Sequence, residues 1–80
     1  MSAARRALSA EERRLLLAAC ELRLVMNQRG RWTVVGGPRP ARRAREYLMR
    51  RELIEWQSIA GVEVLVVTAA GLAELKRGRA

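Results

Sequence analysis

The residues best equipped to do chemistry in this chain are arginines. Arg39, Arg42, Arg43 and Arg50 fall within twelve positions, with Tyr47 among them. Guanidinium groups are planar, permanently charged donors that match phosphate oxygens and the edge of guanine, and a phenol can add one hydrogen bond to a phosphate. The spacing points to contact with a polyanion rather than to bond-breaking. His and Asp are both absent and Cys20 is the one cysteine, so the commonest general bases, triad orienters and zinc ligands are missing. No intramolecular disulfide is possible, and no metal or cofactor is expected. The composition argues against an enzyme.

Charge is segregated along the 80 residues, whose net charge is +8. Residues 39–51 hold six Arg against Glu46, whereas residues 52–75 hold four Glu and no basic residue. Such asymmetry suggests one polyanion-facing surface rather than a uniformly solvated shell. The alternative for the Arg-rich stretch is a solvated helix face on which Glu46 pairs with Arg42 and Arg50 at i,i+4, for ~0.3–0.5 kcal/mol per pair.

The elements that must carry these residues follow from local pattern. Ser9-Ala10-Glu11-Glu12 is a capping box, and good helix formers run on to Gln28, with Gly30 suited to the stop. Leu15, Ala18, Ala19, Leu22, Val25 and Met26 recur at helical spacing, and Leu16, Cys20 and Leu24 widen that face. The expectation is a helix over residues 10–28 that is either the central core helix alone or also the surface of a homodimer. Trp32–Val35 reads as a short strand and Gly36–Pro40 as a turn or loop. A nucleotide-binding reading of Gly36-Gly37 fails for want of the rest of the fingerprint. A second helix over 40–52 places Ala41, Ala44 and Leu48 on one face and Arg43, Glu46 and Arg50 opposite, flanked by Arg42 and Tyr47. Leu53–Ser58 and Val62–Val67 make a β-hairpin around Gly61, and Thr68 caps a last helix from Ala69 to about Lys76.

The order, helix–strand–helix–β-hairpin–helix, is an α+β arrangement. Ala44-Arg45-Glu46-Tyr47-Leu48-Met49-Arg50-Arg51-Glu52-Leu53-Ile54-Glu55-Trp56 resembles the recognition helix of a winged helix-turn-helix regulator running into its first wing strand. Val64–Leu75 is similar to the closing wing strand and following helix of multiple-antibiotic-resistance-type (MarR-like) regulators, and Leu8-Ser9-Ala10-Glu11 to the start of their first helix. The resemblance spans residues 41–76 and implies a small winged-helix-like domain over 9–77, preceded by a flexible basic arm over 1–8. It departs in three places. Val35–Pro40 stands where the family has a short helix, Glu52 replaces the usual Gly before the wing, and the wing turn Ser58–Gly61 carries no Arg.

The resemblance and the charge together imply a DNA-binding protein, a transcriptional regulator or accessory factor docking double-stranded DNA with Arg39, Arg42, Arg43, Tyr47 and Arg50. Two other partners compete: an acidic protein patch read by a degenerate winged-helix module, and RNA or packaged nucleic acid bound without sequence preference. Arg5, Arg6, Arg13 and Arg14 are candidates for a basic arm. Trp32 and Trp56 are expected as core anchors rather than base-stacking platforms, and Cys20 as a small buried hydrophobe. The longest apolar run, Leu15–Cys20, is far short of the ~20 residues a bilayer needs, and no cleavable signal is evident. A cytoplasmic protein without membrane contact is the expectation.

Overall fold

The computed structural model describes residues 6–77. Three helices and a four-stranded antiparallel sheet make a small α+β domain: α1 (Ala10–Cys20), β1 (Leu24–Met26), β2 (Trp32–Val34), α2 (Arg42–Arg50), β3 (Ile54–Ile59), β4 (Val62–Val67) and α3 (Ala69–Arg77). The sheet order is β2-β1-β4-β3. Each outer strand forms a hairpin with the inner strand next to it, and the hairpins meet at one pair, Val25↔Val64. Among the described residues no helix is long and apolar enough to cross a membrane.

The capping box forms as expected. Ser9 Oγ accepts from the Glu12 amide at 3.1 Å, and Glu12 Oε1 accepts from the Ser9 amide at 2.9 Å. The helix it starts does not run to Gln28, however. It ends at Cys20, and the chain reverses through Leu22, whose φ is 60°. The Leu22 amide donates to Ala19 O and the Arg23 amide to Ala18 O, which is the Schellman pattern with Leu in the place glycine usually takes. The break lets Leu24 enter the core and leaves Leu22 56% exposed. Residues 24–26, expected as the last turn of the helix, are therefore strand β1.

Gly30 does not stop a helix but shapes the β1–β2 turn. It takes a φ of 77°, and its amide donates to Asn27 O. A type I turn followed by a left-handed residue is a common three-residue hairpin loop. Asn27 Oδ1 also accepts from the amides of Arg29 and Arg31 at 2.9 and 3.0 Å, which fixes the loop. The β3–β4 turn is tighter, with Ala60 and Gly61 both at positive φ between Ile59 and Val62.

Helix α2 begins at Arg42 rather than Pro40, and it too ends in a Schellman motif. Glu52 (φ 59°) donates to Met49 O, and Leu53 to Leu48 O. Thr68 then clips this end to α3. Its hydroxyl donates to Glu52 O at 2.7 Å and accepts from the Gly71 amide at 3.0 Å, while its own amide donates to Leu53 O. A Cβ on Gly71 would collide with the Leu53 carbonyl oxygen and with Val67 Cγ2. The fully buried large side chains are Leu16, Leu24, Leu48, Leu53 and Leu65, joined by Leu15, Ala19, Ala44 and Ile54.

Two expected core residues are elsewhere. Cys20 is exposed on the last turn of α1, which ends before it can be covered. Trp56 is 52% exposed, because β3 is an edge strand and only its first residue, Ile54, is buried.

The close approach at Gly71 makes a direct test of this packing. Gly71→Ala forces α3 away from the α2–β3 junction and should destabilise the domain by about 1–3 kcal/mol. Urea unfolding followed by circular dichroism reads this as a lower midpoint with an unchanged slope.

Candidate nucleic-acid interface

Helix α2 is too short to persist without tertiary packing, since isolated helices below ~12 residues are marginal in water. Ala44 and Leu48 bury one stripe against the core, so the sequence period turns the remaining residues outward. Arg42, Arg43, Glu46 and Arg50 are all exposed, and Arg39 is exposed in the loop just before the helix. Arg42 Nε donates to Glu46 Oε2 at 2.9 Å, and the Arg42 side chain is still 83% accessible. That hydrogen bond is the main reason the Glu46 carboxyl is held below its ordinary range, with the charges of Arg42, Arg45 and Arg50 adding to it. Among the described residues, Arg39, Arg43 and Arg50 make no ion pair.

The start of α2 is electrostatically unusual. Ala41 offers no side-chain cap and the first turn holds no acidic residue, yet Arg42 and Arg43 sit there. The positive end of the helix dipole disfavours cations by roughly 0.3–1 kcal/mol each at exposed positions. An anion at this end would relieve both.

Tyr47 is placed differently from the arginines. It is half-buried and packs against the core, with the Arg6 guanidinium 3.9 Å above its ring centroid and that of Arg51 at 5.6 Å. Its hydroxyl accepts from Arg51 Nη1 at 2.8 Å. Arg6 also makes two hydrogen bonds to Glu12, at 2.9 and 2.7 Å. Of the candidate arm, residues 1–5 lie outside the described residues. Arg6 is occupied by α1 and α2, Arg13 donates to Leu75 O, and Arg14 pairs with Glu11. The structure thus gathers Arg39, Arg42, Arg43 and Arg50 and sets Tyr47 on the flank between α2 and the chain before α1.

Two arginines not singled out in the sequence join the group. Arg31, at the end of the β1–β2 turn, and Arg45 line a cleft with Arg39, Arg42, Trp32 and Glu46. The signal for Arg45 was its three-residue spacing from Arg42. That for Arg31 was the turn-forming Asn27–Gly30, and neither reveals the other's proximity. Trp32 meets Trp56 edge-to-face, with centroids 5.0 Å apart and planes at 81°. Trp56 Nε1 donates to Glu63 Oε1 at 2.6 Å. Among the described residues no group of three His, Cys, Asp or Glu side chains could hold a metal ion. Comparison with protein families, with curated proteins and with solved structures gives no match to this chain.

The Arg6–Glu12 pair sets a pH dependence. Hydrogen bonds from Arg6 first, then from Ser9, hold the buried Glu12 carboxyl below its usual 4.5. A depressed folded-state pKa contributes stability that is complete above the unfolded value and is lost as pH falls through the folded one. Urea midpoints should therefore fall as pH drops from about 5 toward 3. In Glu12→Gln the midpoint should be lower at pH 7 and change less over that window.

Proposed function

We propose that this protein binds double-stranded DNA as a small winged-helix-like domain, a transcriptional regulator or accessory factor, with α2 laid against the duplex. The observation that carries the reading is the outer face of α2, where Arg42, Arg43 and Arg50, with Arg39 beside them, are exposed and opposed by a single carboxylate. Arg42 and Arg50 are eight residues apart, about 12 Å along the axis, close to the ~12 Å width of the major groove. Arg42 and Arg43 also lie at the helix end where the dipole favours phosphate, whereas Arg50 is in the last turn.

The element order supports the winged-helix reading. A helix leads into a strand that pairs with the second strand of a hairpin, and that hairpin follows the basic helix. Strand β2 and the loop over 35–41 occupy the stretch where the family has a short helix, so α2 docks without that neighbour. An acidic protein surface is the competing partner for the same face, and DNA titration separates the two.

The experiment is fluorescence anisotropy of a labelled random 20–30 base-pair duplex across a salt series, with Arg42→Ala, Arg43→Ala and Arg50→Ala combined as the variant. Each lost phosphate contact makes the log–log salt slope shallower by about 0.9, so the triple variant should lose up to about 2.7. Circular dichroism should show it folded, because all three side chains are exposed. A slope equal to that of the wild type, or no binding by the wild type at moderate salt, would overturn the proposal and direct a search for an acidic protein.

A further inference from the structure

The two hairpins of the sheet carry opposite charge. The β1–β2 turn, Asn27-Gln28-Arg29-Gly30-Arg31, holds two arginines and no acid. The β3–β4 turn, Ala60-Gly61, holds no charge at all, and its strands bear Glu55 and Glu63, with Glu52 just before them. The outer strands hold opposite edges of the sheet, but the two turns are neighbours: Asn27 and Gln28 share a surface depression with Gly61 and Glu63, and Trp32 meets Trp56. What distinguishes the turns is the charge each offers a polyanion.

The β1–β2 turn and the start of α2 form a cleft of about 540 Å³. Arg31 from the turn, Arg39 from the loop, and Arg42 and Arg45 from the helix line it, together with Trp32. Glu46 is the one carboxylate in the lining, and it is already engaged by Arg42. Arg31 and Arg45 make no ion pair among the described residues, so four guanidinium groups converge on a space with one neutralised acid. Like charges so gathered repel, and the repulsion is relieved by an anion held between them. The turn that carries Arg31 is fixed by Asn27 before any ligand arrives, so little ordering entropy is lost on binding.

We infer that the β1–β2 hairpin, rather than the β3–β4 hairpin that follows the basic helix, is the second arm of this protein on duplex DNA, and that one strand's phosphates run through the cleft between its turn and α2. The inference rests on α2 facing DNA and adds Arg29, Arg31 and Arg45 to the contact surface. The acid-bearing hairpin then supplies no cation to the duplex, which reverses the role that the resemblance assigns to it.

The test uses the same labelled duplex and salt series with two variants. Arg29→Ala combined with Arg31→Ala should make the slope shallower by about 1.8, so that the affinity lost between 50 and 200 mM salt shrinks by about tenfold relative to wild type. Trp56→Phe leaves Trp32 as the sole tryptophan, and its emission should change as the duplex saturates. An unchanged slope in the Arg29/Arg31 variant while the α2 variant loses its own would overturn the inference and leave α2 as the docking element. If neither arginine variant alters the slope, the reading of α2 falls together with this one.

Discussion

Five leucines must be hidden from water at once, and each comes from a different part of the chain: Leu16 from α1, Leu24 from β1, Leu48 from α2, Leu53 from the α2–β3 junction and Leu65 from β4. In a domain this small there is no second core to share the task. Burying Leu24 requires the chain to leave α1 after Cys20, and the turn it takes holds Leu22 in a left-handed conformation that costs about 1–2 kcal/mol. Full burial of a leucine returns about 1.5–3 kcal/mol. The β1–β2 ladder and the β1–β4 contact are gained in addition. The exchange favours the break, and every later feature of the domain follows from it. Without β1 there is no hairpin at the basic edge and nothing to join β4 on its inner side.

The same core sets the orientation of α2. Ala44 and Leu48 point inward, Leu53 and Thr68 hold the C-terminal end, and Tyr47 with Arg6 and Arg51 closes one flank. What faces outward is decided by subtraction. The exposed stripe is crowded with arginines that repel one another, and the two in the first turn, Arg42 and Arg43, sit unfavourably against the helix dipole. A helix of nine residues tolerates this because its stability comes from packing rather than from propensity or surface charge. Local choices that contradict stability while the fold is otherwise consistent are where function is expected.

Much of this was legible in the residues. The capping box at Ser9, the cap at Thr68, the limits of β4 and the inward placing of Ala44 and Leu48 on α2 all rest on interactions between near neighbours in sequence, and all four are present. Ala41, expected on the same face, is instead the exposed N-cap. The end of α1 was not legible, for a definite reason. The Schellman motif is normally announced by glycine, and here its left-handed positions are held by Leu22 and Glu52. Leu22, Val25 and Met26 also continue the helical stripe, so periodicity pointed the wrong way. Gly30, the nearest glycine, belonged to a hairpin. Trp56 failed differently. Alternation placed it on the inward side of β3, but whether that side is covered depends on how far α2 reaches, which no local pattern records. The exposed arginines of α2 were visible as a group, whereas the meeting of Arg31 with Arg45 depends on the sheet order.

The single Val25↔Val64 pair then acquires a consequence out of proportion to its size. It is where the ladder of the basic hairpin meets that of the acidic one, so it governs how the two charged edges are disposed about α2. Both sides of the seam are tied to the core, through Leu24 beside Val25 and Leu65 beside Val64, each fully buried. A shift of either strand by one residue would send those leucines to the opposite face of the sheet, because side chains alternate with a period of two. Core burial thus fixes the register at the seam. The register in turn holds the β1–β2 turn beside the start of α2, so that Arg31 and Arg45 line one cleft. The separation of charge between the two edges is a consequence of hydrophobic packing, and no direct attraction between the basic residues is needed to produce it.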